Sequence, residues 1–271
     1  MGGIIQMVLM EENFSSKICF TVFHIETNDL DKDSLIRRAN ANNTKKYLKD
    51  KCLLLDSRYI EINEKQDLLS FIKDNNMFKI DPRGFDFVYG QKSLKYNKKE
   101  ELETGWVYQE LGELASIYLA CKEFLNTSCE YLLTVQDDII LHNNFYELLS
   151  SYLKELPENF DAFFQYVPAP EYLIPKHATD TENITLSYQY GSTACFILSR
   201  SGATKLIEQF ENVPGVNLCI SWFILKSGIF NSYSLKPNRD QGCRLTVVSP
   251  LISNHVLALR TPLNYLNDYY N

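Results

Sequence analysis

Apolar residues along the chain fall into two rhythms: short unbroken runs, and longer segments in which they recur every three or four positions. ICFTVFHI (18–25) is short, aromatic and β-branched and is followed by the turn-like ETNDLD, so it predicts a buried strand. SLIRRANANNTKKYLKD is polar and basic, and reads either as a helix or as an irregular segment. KCLLLDS predicts a second short strand ending at Asp56, and Glu64 to Lys73 predicts a helix. Alternation of this kind points to βαβ units in a mostly parallel sheet. Residues 75–105 are rich in Asn, Gly, Pro and Lys and read as loops with one short strand at FDFVYG.

The clearest helical spacing lies in ELGELASIYLACKEFL, where Leu111, Leu114, Tyr118, Cys121 and Leu125 share a face. EYLLTVQDDIIL then supplies the strand-like run YLLTV, and NNFYELLSSYLKEL returns to helical period. FDAFFQYVP (160–168) predicts another strand, and Pro168 to Leu186 a long loop rich in Pro, Thr and Glu. STACFIL has strand composition, and SRSGATKLIEQF places Ser before a helix whose Ala203, Leu206, Ile207 and Phe210 share a face. Further on, ISWFILKSGIF reads as a helix and TVVSPLI as a strand. No linker separates two units.

With 271 residues and 45% hydrophobic composition, the chain can bury a substantial core. Its net charge of -7, with both signs mixed along the sequence, argues against a nucleic-acid groove or a patch for anionic membranes. The seven cysteines are odd in number, widely spaced and without a CxxC pair, which predicts buried free thiols in a reducing compartment. The four histidines have none of the spacings of zinc sites. MGGIIQMVLMEENF has no basic segment and acids break its apolar run, so neither a signal peptide nor a membrane span is expected there.

Asp137 and Asp138 end the YLLTV run. At the carboxyl edge of a parallel sheet, where open α/β folds bind ligands, such a pair can hold Mg²⁺ or Mn²⁺ beneath a diphosphate. The same pair also caps a strand and opens a turn, with Asn143 and Asn144 helping to cap the next helix.

Three blocks, GELASIYLACKEFL, YLLTVQDDIILHNNFYELL and YGSTACFILSRSGATKLIEQF, follow one another between residues 110 and 210. They resemble glycosyltransferase family 25, the bacterial lipooligosaccharide galactosyltransferases and their collagen-modifying relatives. That family has a Gly-Glu helix start, an apolar strand ending in Glu-Asp-Asp, and a later Gly-Ser/Thr segment running into Ser-x-x-Gly-Ala. Here Gln136 stands where the first carboxylate of the acidic motif is expected, and the family's Ser-His pair on the helix has no match, Ile117 and Tyr118 standing there.

The resemblance implies an α/β, GT-A type nucleotide-sugar-binding fold, with a mostly parallel central sheet and helices on both faces. It implies a single domain over 1–271, its donor-binding part about 17–140 and its acceptor-side part about 141–271. The implied activity is metal-dependent and inverting: transfer of a hexose, galactose or glucose, from a UDP-sugar to a carbohydrate acceptor. Asp138 and Asp137 would hold Mn²⁺ (or Mg²⁺), with His255 from late in the chain as third ligand and Asp240 as its rival. His24, Glu26, Thr27, Arg38 (beside Arg37), Asp56, Glu113, Gln136, Asp137 and Ser192 would bind the donor. Asp161, Glu182 and Asp240 are the candidate bases. For Glu113 and Gly191 the structural explanations, helix capping and a tight turn, stand beside the functional ones.

Two alternatives follow from the departures: a catalytically inactive GT-A module that binds a glycan or a partner protein, or a transferase using another sugar nucleotide. The expected location is cytoplasmic, at the inner face of a membrane if the aromatic-rich tail LNYLNDYYN contacts one.

Overall fold

The computed structural model describes residues 17–24, 32–55, 65–80, 108–166, 176–187, 191–216, 220–236 and 246–248. In chain order they form β1 (Ile18–Phe23), α1 (Lys32–Leu48), β2 (Leu53–Leu54), α2 (Lys65–Asp74), α3 (Tyr108–Leu125), β3 (Tyr131–Gln136) and β4 (Ile139–Leu141). Then follow α4 (Phe145–Glu155), β5 (Ala162–Phe164), β6 (Ile184–Leu186), β7 (Cys195–Ser199), α5 (Arg200–Asn212), α6 (Ile220–Lys226), β8 (Ser232–Leu235) and β9 (Thr246–Val248).

Seven strands make one sheet in the order β2-β1-β3-β7-β5-β8-β6. β1 pairs in parallel with β2 and β3, and β5 with β8, whereas β7 runs against both of its neighbours and β6 against β8. β4 and β9 form a separate antiparallel ribbon, with Ile139 opposite Val248.

All six residues of β1 are buried, because both faces of the sheet are covered. The pleat divides them: Ile18, Phe20 and Val22 pack with Ala41 and Leu48 of α1 and Phe145 and Leu149 of α4. Cys19 and Phe23 join Leu114, Cys121 and Phe124 of α3 and Leu206 and Phe210 of α5 on the other face. A single fully buried Phe20 or Phe124 contributes about 1.5–3 kcal/mol through this burial.

Helices cover both faces because the sheet grows in two directions from β1. The chain leaves β1 through α1 to reach β2 on one side, then crosses behind through α2 and α3 to reach β3 on the other. The carboxyl ends of β1 and β3 therefore border a topological switch point, the crevice where open α/β sheets take ligands.

Local chemistry sets the element ends. Ser199 caps α5, its Oγ accepting from the Gly202 amide at 3.1 Å. Asn144, expected as a side-chain cap for α4, makes no such bond. Tyr47 of α1 serves instead, its hydroxyl accepting from the Tyr146 amide at 3.2 Å and donating to the Asn143 carbonyl. Arg200 closes the other end of α3 by donating to the carbonyls of Leu125, Thr127 and Cys129.

One further sequence expectation changes. The stretch read as a loop from Pro168 to Leu186 ends in a strand, β6, which borders the sheet. FDFVYG, and the SPLI of TVVSPLI, lie outside the described residues. Among the described residues no helix is long and apolar enough to cross a membrane.

Candidate functional site

The β1/β3 ladder continues one residue beyond its strands, with the Asp137 amide donating to the Phe23 carbonyl at 3.0 Å. His24 and Asp137 are thereby set side by side at the switch point. His24 Nδ1 lies 2.8 Å from Asp137 Oδ2, and since a carboxylate only accepts, Nδ1 carries the proton. Arg37, in the second turn of α1, donates through Nη1 to Asp137 Oδ1 at 2.5 Å. His24 and Asp137 are buried, at 8% and 7% exposed, and the Arg37 side chain keeps 34% of its surface open.

Gln136, the residue before Asp137, serves the opposite face, as the strand period requires. Gln136 Nε2 donates to Glu113 Oε1 on α3 at 3.1 Å, while its amide is held by the Ala194 carbonyl at 2.8 Å. Thr193, at the turn into β7, also bonds the Glu113 carboxyl. Burial pushes Glu113 above the usual carboxylate range; the Thr193 hydrogen bond pulls it back, the charge of nearby Asp138 pushes it up again, and the Gln136 bond opposes that. Asp138 itself is 2% exposed. The acidic pair is thus split: Asp137 faces two basic groups, and Asp138 acts on a third carboxyl.

Among the residues expected to bind the donor, the structure brings together two pairs, His24 with Asp137 and Gln136 with Glu113. Arg37 takes the contact, and Arg38 beside it is partly buried on α1. Ser192 Oγ accepts from the Ala194 amide at 3.2 Å, an ordinary turn brace, while its neighbour Thr193 reaches Glu113. Thr193 carried no distinct sequence signal beyond its place in the GST run. Gly191 has a packing explanation: a Cβ there would stand 2.7 Å from Cγ of Phe164.

The candidate bases lie elsewhere. Asp161 precedes β5, at the amino edge of the sheet, and is fully buried. Its carboxylate accepts from Ser201 Oγ at 2.8 Å, Lys205 Nζ at 2.6 Å and the Asn231 amide at 2.8 Å, so it ties α5 and β8 to β5. Glu182 is exposed just before β6, at the carboxyl edge but four strands from β3, roughly 19 Å along the sheet. Glu26, Thr27, Asp56, Asp240 and His255 fall outside the described residues. A cavity of about 660 Å³ lined by Ile72, Met77, Phe78, Lys79 and Pro214, among others, holds none of the site residues.

Of the ligands implied for Mn²⁺ or Mg²⁺, His255 and Asp240 lie outside the described residues, and Asp137, as it is held here, does not fit the ion. Both oxygens of Asp137 are engaged, and among the described residues no group of three His, Cys, Asp or Glu side chains is arranged to hold a metal ion. An ion about 2.1 Å from that carboxylate would stand within roughly 4 Å of the guanidinium. The pairwise repulsion between charges of +2 and +1 at that separation is about 8 kcal/mol at an effective dielectric of about 20.

No protein-family model matches the chain, and no curated protein sequence matches it significantly.

Proposed function

We propose that the chain is a GT-A type glycosyltransferase that moves a hexose, galactose or glucose, from a UDP-sugar to a carbohydrate acceptor. The observation that carries this reading is the convergence of the three sequence blocks at one point. Glu113 from the first bonds Gln136 of the second at 3.1 Å and Thr193 of the third, although 57 positions separate Gln136 from Thr193 along the sequence. Residues that served only to terminate three separate elements would not need to meet, and they meet beside the switch-point crevice.

Within this reading the donor diphosphate lies toward His24 and Arg37, and the hexose toward Asp138 and Glu113. An acceptor hydroxyl attacks the anomeric carbon, the bond to the diphosphate oxygen breaks, and UDP departs with the electron pair. The hydroxyl proton passes to the Glu113 carboxylate, whose basicity burial and Asp138 raise toward the range a general base needs. Asp138 accepts hydrogen bonds from hexose hydroxyls.

The test is UDP release from UDP-galactose or UDP-glucose in the presence of oligosaccharide acceptors. Glu113→Gln and Asp138→Asn are each expected to lower turnover by about 10²–10⁴-fold while UDP still binds. Turnover within about twofold of the parent for both variants would remove these residues from the chemistry. The inactive-module alternative draws on Gln136, whose amide brings no charge to the acidic motif; a parent protein that binds UDP and turns over no donor in a sugar-nucleotide screen is that module.

A further inference from the structure

We propose that the guanidinium of Arg37 takes the place of a divalent cation in this site, so that a nucleoside diphosphate donor is bound and neutralised without metal. The inference rests on the glycosyltransferase reading and adds to it the means of charge neutralisation.

Three features of the geometry carry it. First, Asp137 is committed: Arg37 Nη1 sits 2.5 Å from one oxygen and His24 Nδ1 2.8 Å from the other, and both contacts are charge-assisted. Second, the arrangement is built into the scaffold. His24 continues β1, Asp137 continues β3, and Arg37 rises from α1, the helix that covers this face of the sheet. Third, the guanidinium is open on one side. Its side chain is 34% exposed while that of its partner Asp137 is 9%, so guanidinium N–H groups beyond the one given to Asp137 remain for a ligand.

A guanidinium presents a planar fork that matches two phosphate oxygens at once, and it carries its charge at every working pH. Held by Asp137, it is oriented before the ligand arrives, so little freedom is lost on binding. The second carboxylate, Asp138, acts through its charge on Glu113. In this arrangement Asp137 is a positioning residue for Arg37.

Calorimetric titration with UDP, in EDTA and separately in Mn²⁺, tests the proposal on the full chain. The expected result is UDP dissociation constants within about twofold of each other in the two media. Arg37→Ala is expected to weaken UDP binding by about tenfold or more in EDTA, and to gain a Mn²⁺ site visible by electron paramagnetic resonance as Asp137 is released. Arg37→Lys keeps the charge but loses the fork, and is expected to weaken binding by a smaller factor; it decides the question if Arg37→Ala fails to fold. UDP binding that needs Mn²⁺ overturns the inference and leaves the glycosyltransferase reading standing. Parent-like affinity in the folded Arg37→Ala protein, or in Arg37→Lys where that protein does not fold, overturns it as well. Absence of UDP binding in both media removes the reading beneath it.

Discussion

Glu113 shows how much one side chain can carry at the residue scale. Its pKa is raised above the ordinary 4.5 by burial first and by the charge of Asp138, against the pull of Thr193 and Gln136. A carboxyl raised in this way contributes stability that is fully present below its unfolded value and is lost as the pH rises through its folded one. Glutamine is neutral throughout, so Glu113→Gln should gain in melting temperature over the parent as the pH rises from about 4.5 toward neutrality. Thermal melts at a series of pH values check this, and a difference that does not vary with pH would contradict it. The gain in stability alongside a loss of turnover would mark a group kept for chemistry at the expense of the fold. Glu113 was legible in the sequence because it lies in a recognisable block on a strongly periodic helix; that helix begins five residues earlier, at Tyr108, so the capping explanation for Glu113 does not hold. The pairing of Arg37 with Asp137 was not, since nothing local marks which of the many basic residues reaches the acid across 100 positions of chain.

Elements were legible in proportion to how much apolar surface each buries. ICFTVF and YLLTV, buried on both faces, read as continuous apolar runs. β8, SYSL, did not read as a strand at all, because its inward serines, Ser232 and Ser234, are as buried as its Tyr233 and Leu235 and give no hydrophobic signal. α1 was ambiguous for a related reason: it buries only a thin stripe at Ala41, Thr44 and Leu48 and is otherwise mostly polar. The start of α5 shows an element end set by contact. A Cβ on Gly202 would stand 2.0 Å from the Asp161 carbonyl oxygen, so the helix can approach β5 only without a side chain there. Gly202→Ala is expected to cost about 3 kcal/mol or more, read as a lower urea midpoint at unchanged slope. An unchanged midpoint would mean that α5 can shift without loss. The glycine of the Ser-x-x-Gly-Ala segment is thus explained by packing, which limits how far that segment alone can argue for function.

At the scale of the whole molecule, the sheet fills both of its layers with helix and keeps the thiols of the described residues inside. Cys19, Cys52, Cys121, Cys129 and Cys195 are free and buried, and burial pushes the Cys52 thiol up to about 12. These five cysteines should resist iodoacetamide at mildly alkaline pH in the native protein and react once urea unfolds it, as peptide mass mapping would reveal. Native labelling at Cys121 or Cys195, which lie in the two opposite layers, would contradict the layer arrangement.

The β4–β9 ribbon has a consequence for the order in which the molecule is made. β4 follows Asp138 directly, yet its partner is the strand at Thr246–Val248. The seven-stranded sheet needs the chain only as far as Leu235, so during synthesis it can close while that partner is still inside the ribosome. The β4–β9 ribbon then forms last, and a ribosome-bound chain stalled with β8 emerged and Thr246–Val248 still in the exit tunnel would carry the sheet without it.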